Sequence, residues 1–242
     1  MTDANWPALR RVTAARIGLD RAGASLATRP LLEFRLAHAL ARDAVHAELG
    51  AIPGLDALGL PVLHAVTEAP DRRAYLMRPD LGRRLHPGNG LSAHAGPHAL
   101  AIVIADGLSA RAAERHAAPL LTCLLPLLRD WALAPLTVLR QARVAAGDGV
   151  ASALGAGAVL VLIGERPGLS APDSLGAYAT WAPRPGTTDA DRNCVSNIRP
   201  DGLTYADAAH RLAYLLRAMQ ASGASGVALK DASGDVPRLT SS

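Results

Sequence analysis

Lysine is almost missing from this chain: of 25 basic residues only Lys230 is not an arginine. The arginines are spread along the whole sequence without a block, so the net charge of +4 makes no nucleic-acid footprint. Aromatic residues are 3%, with Phe34 the single phenylalanine, which removes the stacking platforms that single-strand binders use. The two cysteines, Cys123 and Cys194, supply neither a metal-ligand cluster nor a disulfide framework. Cys123 lies in an apolar helical stretch and reads as a small buried hydrophobe. Cys194 lies among polar residues in a segment without helical or strand periodicity. Long apolar runs are absent too. The longest, 117–128 and 156–163, fall short of the roughly 18 residues a spanning helix needs, so no membrane segment is expected. The first seven residues lack the basic start and apolar run of a secretory signal, which points to the cytoplasm.

Familiar catalytic and nucleotide motifs are missing as well. The chain has no G-x-x-x-x-G-K-[ST], no G-x-G-x-x-G after a strand and no G-x-S-x-G, which removes the best support for P-loop, dinucleotide and α/β-hydrolase readings. No His, Asp and Ser have triad-like placement. His46 and His116 fall on helices as structural residues, and His86, His94 and His98 crowd into a Gly- and Pro-rich stretch.

What is present is a sizeable core. Half of the 242 residues are hydrophobic and 19% are charged, which excludes disorder and allows one large domain or one domain with a smaller companion. Thr28 as N-cap, Pro30 in the first turn and apolar residues from Leu32 to Val45 predict a helix over 30–49, with Gly50 as its stop. Val62–Val66 and 74–77, joined by a charged turn at 70–73, read as a two-stranded ribbon. The Pro/Gly-rich stretch that follows marks a boundary near residue 95. The division expected is a small, mainly helical domain over 1–95 and an α/β domain over 96–242.

Beyond residue 95 short apolar runs alternate with helical patterns. Strands are predicted at 100–104, 136–139 and 158–163, with a helix from Ser109 and a short one at 150–154. Continuous apolar strands imply burial on both faces, as in a mainly parallel sheet covered by helices. A further strand near 178–181, a helix over 205–221 capped by Thr204 with Asp207, and a last strand at 226–229 complete the pattern. In such sheets ligands bind where the loops leave the carboxyl ends of the strands. Three loops meet that condition: 106–109, 143–148 and 164–170. From these features alone the chain is an α/β domain for an unspecified ligand.

The same loops resemble the small (light) subunit family of ethanolamine ammonia-lyase. The residues that carry the resemblance are Ala15-Arg16-Ile17-Gly18-Leu19-Asp20-Arg21-Ala22-Gly23, Ala41-Arg42-Asp43-Ala44-Val45-His46, Arg78-Pro79-Asp80-Leu81-Gly82-Arg83-Arg84-Leu85, Ile104-Ala105-Asp106-Gly107-Leu108-Ser109-Ala110, Arg140-Gln141-Ala142-Arg143-Val144, Ile163-Gly164-Glu165-Arg166-Pro167-Gly168-Leu169-Ser170 and Asn193-Cys194-Val195-Ser196-Asn197-Ile198-Arg199. They run in family order through most of the chain.

The resemblance implies a Rossmann-like domain after a small helical one, and an ammonia-lyase, active only with its large subunit, that converts ethanolamine to acetaldehyde and ammonia by radical chemistry. It implies adenosylcobalamin as cofactor, lying between the subunits, with small-subunit contacts at Val144, Glu165 and Cys194. Neighbouring matched positions add Asp106, Gly107, Ser109, Arg143 and Arg166. Glu165 has a structural alternative, pairing with Arg166 or Arg143. No catalytic or metal-ligating residue is expected in this chain, because the substrate pocket belongs to the large subunit. The cobalt should keep the cofactor's own base, since Asp-x-His-x-x-Gly, which accompanies a protein histidine ligand, is absent. The family assembles as six copies of each subunit. Only some 14 residues precede the first matched segment, shorter than the extension of members housed in bacterial microcompartments, so the cytoplasm is expected, with a microcompartment as the other location. The competing expectations are a stand-alone α/β enzyme and a non-catalytic cobalamin-binding or assembly protein.

Overall fold

A computed structural model describes residues 6–13, 16–19, 21–184 and 186–235. Ala15 and Asp20 of the first matched segment lie outside the described residues. The elements in chain order are α1 (Trp6–Arg10), a minimal hairpin of β1 (Arg21–Ala22) and β2 (Ser25–Leu26), α2 (Thr28–His46), β3 (Val62–Val66), α3 (Arg72–Met77), β4 (Leu100–Ala105), α4 (Ala110–Leu124), β5 (Leu136–Arg140), α5 (Ala146–Leu154), β6 (Ala158–Gly164), β7 (Leu175–Trp181), β8 (Arg192–Ile198) and α6 (Tyr205–Ser222).

Six strands form one mixed sheet in the order β3-β5-β4-β6-β7-β8. The first four run parallel, and β7 and β8 each turn antiparallel to the neighbour before it. Every residue of β4 and β6 is buried, which is what their unbroken apolar sequences require of central strands. Ile102, Ile104, Leu160 and Leu162 pack with α4 and α6, whereas Val103, Ala105, Val159 and Val161 pack with α5 on the other face. Each fully buried Leu or Ile contributes roughly 1.5–3 kcal/mol, so this double layer dominates the stability. The register sets Ala105 beside both Leu139 and Ile163, so β4, β5 and β6 end level and their loops emerge together.

Several elements differ from expectation for identifiable reasons. Residues 62–66 and 74–77 do not form a ribbon. The first segment is β3, paired with β5 along its whole length, and the second belongs to α3. The Asp71 carboxylate accepts the Ala74 N–H at 2.7 Å, so the charged 70–73 stretch starts a helix rather than a turn. α2 begins at Thr28 after Ala27 and ends at His46, three residues short of the predicted end. The Gly50 N–H goes to Glu114 Oε1 at 2.7 Å instead of closing that helix. The 226–229 strand is a 3-10 turn. The segment around Cys194, aperiodic in sequence, is the strand β8. A register shift against β7 buries Arg192, Val195 and Ile198 at a spacing of three, which hides the alternation of two.

Helix α2 follows its predicted pattern but finds little to cover it. Leu32, Leu36 and Leu40 lie one turn apart and are 57%, 62% and 43% exposed, and Ala44 is the one buried residue among those described in the helix. Among the described residues, no helix is long and apolar enough to cross a membrane.

Candidate functional site

A cavity of about 420 Å³ opens where the three level strand ends release their loops. Gly107 and Leu108 after β4, Arg143 to Ala145 after β5 and Gly164 to Arg166 after β6 line it, and Tyr178 of β7 closes one side. Beneath it lies a network built on two buried charges. Asp106, with no solvent exposure, accepts the Gln141 and Ala142 N–H groups at 2.9 Å each and the Arg72 guanidinium at 3.3 Å. Arg72 also donates to Gly107 O at 2.8 Å and to Val45 O at 2.8 Å, joining the last turn of α2 to the loop after β4. Burial pushes the Asp106 carboxyl above its ordinary range and the Arg72 guanidinium below its own, against the pull each exerts on the other.

The loop after β5 is held on all sides. Gln141 adopts a left-handed φ of 55°, uncommon for a residue with a side chain. Its carbonyl accepts from Thr67 Oγ1 at 2.7 Å, while Tyr75 donates to Ala142 O at 3.2 Å and Arg143 N–H to Gly82 O at 2.8 Å. The Tyr75 ring stacks under two guanidiniums, Arg72 at 4.8 Å and Arg143 at 4.3 Å from its centroid. Desolvation pushes the Tyr75 hydroxyl up to about 12, so it stays a donor.

Loops after β4 and β6 touch backbone to backbone. Leu108 N–H donates to Gly164 O at 3.0 Å, and a Cβ on Gly164 would meet Ser109 O at 2.0 Å. Gly107 has φ +55°, and a Cβ there would lie 2.2 Å from Gly164 O. Only glycine permits this approach.

Comparison with known proteins decides the family. Residues 3–230 match the family described as ethanolamine ammonia-lyase light chain (EutC). The ethanolamine ammonia-lyase small subunit of Azotobacter vinelandii is 54% identical over 249 residues, covering 98% of this chain and 92% of the relative. Those of Ralstonia nicotianae and Bradyrhizobium diazoefficiens are 52% and 56% identical, covering 99% and 94% of this chain and 92% and 90% of the relatives. The chain belongs to the ethanolamine ammonia-lyase light-chain family. It is thus a small subunit of a lyase of ethanolamine catabolism.

Within this light chain the residues named from sequence fall into two groups. Val144, Glu165, Gly107, Arg143 and Arg166 line the cavity. Cys194 sits beside it, exposed on β8 directly opposite Tyr178, with its sulfur 3.1 Å from Ser196 Oγ. Asp106 and Ser109 are buried underneath: the first is spent on the network above, and Ser109 Oγ donates to Pro172 O at 3.0 Å. Glu165 pairs with neither Arg166 nor Arg143. Its carboxylate takes the Ser174 hydroxyl and, at 3.3 Å, the Asn197 N–H, which the left-handed φ of 59° at Asn197 turns toward it. Tyr75, Tyr178, Arg83 and Asp189 also line the cavity and were not anticipated as site residues. Two of only four tyrosines meet here, in a chain where aromatics are scarce. Desolvation, reinforced by a hydrogen bond with Cys194, raises the Tyr178 hydroxyl, which keeps it protonated.

Proposed function

We propose that this small subunit supplies one face of the adenosylcobalamin site of ethanolamine ammonia-lyase and that its large subunit supplies the other face and the ethanolamine pocket. The observation that carries the reading is the cavity at the level ends of β4, β5 and β6, where five of the residues implied by family resemblance converge. The donor set fits a corrin, an amphipathic disc rimmed by amides, which asks for hydrogen-bonding loop groups on an apolar platform. Val144, Ile163 and Tyr178 offer that platform, and Arg143, its guanidinium 4.3 Å from the Tyr75 ring centroid, adds a polar group to the wall. A volume near 420 Å³ takes one part of such a ligand, as suits a site that a second chain completes.

When bound, the cofactor supplies the radical chemistry that removes ammonia from ethanolamine. This chain's residues bind and orient it. Glu165, fixed by Ser174 and Asn197, accepts from corrin amides; Val144 packs against the ring; Cys194 and Tyr178 form an adjoining wall with no thiolate chemistry. The outward apolar stripe of α2 supports a further protein contact, which we assign to the large subunit in an assembly with six copies of each chain. A Rossmann-like arrangement after a helical N-terminal part, and a cytoplasmic setting, belong to the same reading.

Ethanolamine deamination by the chain mixed with a cognate large subunit and adenosylcobalamin tests it, with each subunit alone as control. Activity only in the full mixture, with Glu165→Ala raising the cofactor concentration required, supports the reading. A folded pair that binds cofactor yet releases no acetaldehyde identifies a cobalamin-binding or assembly protein instead.

A further inference from the structure

The cavity walls hold more positive charge than their own carboxylates neutralise. Arg83 lines both the cavity described above and a second one of about 530 Å³, which also meets Arg84, Asp148 and Arg184. Three arginines, Arg83, Arg143 and Arg166, face two carboxylates, Glu165 and Asp189, on the first cavity's walls, and neither of these carboxylates forms an ion pair with those arginines. Glu165 accepts from Ser174, Asp148 grips Arg192 at 2.7 Å, Asp189 stands 3.7 Å from the same guanidinium, and Glu68 pairs with Arg84. Arg83 and Arg166 have no carboxylate partner among the described residues, and Arg143 adds an unpartnered buried Nε. Guanidiniums left over in a partly enclosed space favour a localised anion whose paired oxygens match their fork. The amide rim of a corrin carries no such charge. The nucleotide tail does, at its phosphodiester.

We infer that Arg83, where the two cavities meet, binds the phosphodiester of the cofactor's nucleotide tail, with Arg166 as a second cation. The inference rests on the cavity being the cofactor site. It assigns the corrin to the first cavity and the tail to the second, and it gives Arg83 a specificity role: the site distinguishes the complete cofactor from corrinoids without a phosphate.

The test is equilibrium dialysis of the reconstituted two-subunit complex against three probes: adenosylcobalamin, adenosylcobinamide phosphate, which keeps a phosphate without the base, and adenosylcobinamide, which has neither. Arg83 is exposed and has no ion-pair partner among the described residues, so Arg83→Gln leaves the fold intact. The variant is expected to bind the first two probes about tenfold more weakly, the scale of one lost charge-assisted hydrogen bond, and the third as well as wild type. Arg83→Lys recovers part of the loss, and rising salt narrows the wild-type preference for the phosphate-bearing probes. Equal weakening of all three probes, or of none, overturns the inference. So does loss of subunit association in Arg83→Gln, since the arginine then serves a large-subunit carboxylate. If the wild-type complex binds every probe no better than the large subunit alone, the cofactor reading itself fails and this inference goes with it.

Discussion

Replacing Asp106 by alanine tests the claim that this carboxylate builds the site without touching the ligand. Three donors converge on a side chain with no solvent exposure: two backbone N–H groups at 2.9 Å and a guanidinium at 3.3 Å that is itself 6% exposed. Removing the acceptor strands the two N–H groups and leaves the buried guanidinium without its counter-charge, although its bonds to Gly107 O and Val45 O remain. Breaking a buried pair by deleting one partner costs roughly 3–5 kcal/mol, and the stranded backbone donors account for much of that same figure rather than adding to it. At roughly 2–4 °C per kcal/mol for a domain of this size, the melting temperature of Asp106→Ala should fall by about 10 °C. Asp106→Asn keeps the volume and one acceptor but turns an NH₂ toward a donor, so its fall should be smaller. Thermal unfolding followed by circular dichroism measures both, and amide exchange should show faster opening around 141–145. An alanine variant melting within about 2 °C of wild type would refute the reasoning. Asp80→Ala, which removes an exposed pair with Arg78, is the control and should leave the melting temperature unchanged.

Further outcomes follow from other parts of the structure. Gly164→Ala should destabilise the chain and weaken cofactor binding in the complex, because its Cβ would lie 2.0 Å from Ser109 O; a variant with wild-type melting and affinity contradicts the close packing of the two loops. His116 is buried, and desolvation lowers its pKa below 6.5 despite Asp173 nearby. The unfolded chain therefore binds the extra proton first, and stability should decline as pH falls below about 6.5, the unfolded value. His116→Gln should flatten that dependence in melts between pH 7.5 and 5.5, taken at roughly half-unit steps around that value; an unchanged slope contradicts it. Leu36→Glu, placed at a side chain 62% exposed, should leave the isolated chain's melting unchanged while weakening assembly with the large subunit, as read by analytical ultracentrifugation. Full assembly by this variant removes α2 from the interface.

Where local chemistry and long-range packing agree, the sequence was a sufficient guide. The run from Ala158 to Ile163 has no polar interruption, and it is a central strand buried on both faces. Thr204 accepts the Asp207 N–H at 3.2 Å and Gly223 caps the other end of α6 in the left-handed region, as the capping pattern indicated. Elsewhere, one pattern served two structures. Asp71 suits a turn as well as an N-cap, and what decided between them was the docking of Arg72 and Tyr75 onto partners at 106 and 142, more than 30 residues away. Val62–Val66 reads as a strand in either arrangement, but its partner β5 lies 70 residues on. The cavity was legible as three loops because their strands end level. Its walls were less so: Tyr178 faces it because the register sets it beside Val161 of β6, on the α5 side of the sheet, and Asp106 turns inward because its donors come from the neighbouring strand's loop.

The most direct measurement is hydrogen exchange of the reconstituted two-subunit complex with and without adenosylcobalamin, read on peptides of the small subunit. The account predicts cofactor-dependent slowing in the loops at 107–109, 143–146 and 164–166 and in β8 around Cys194, with no change along α4 or α6. Slowing confined to other surfaces of this chain, or none at all in a complex that has bound cofactor, would contradict it.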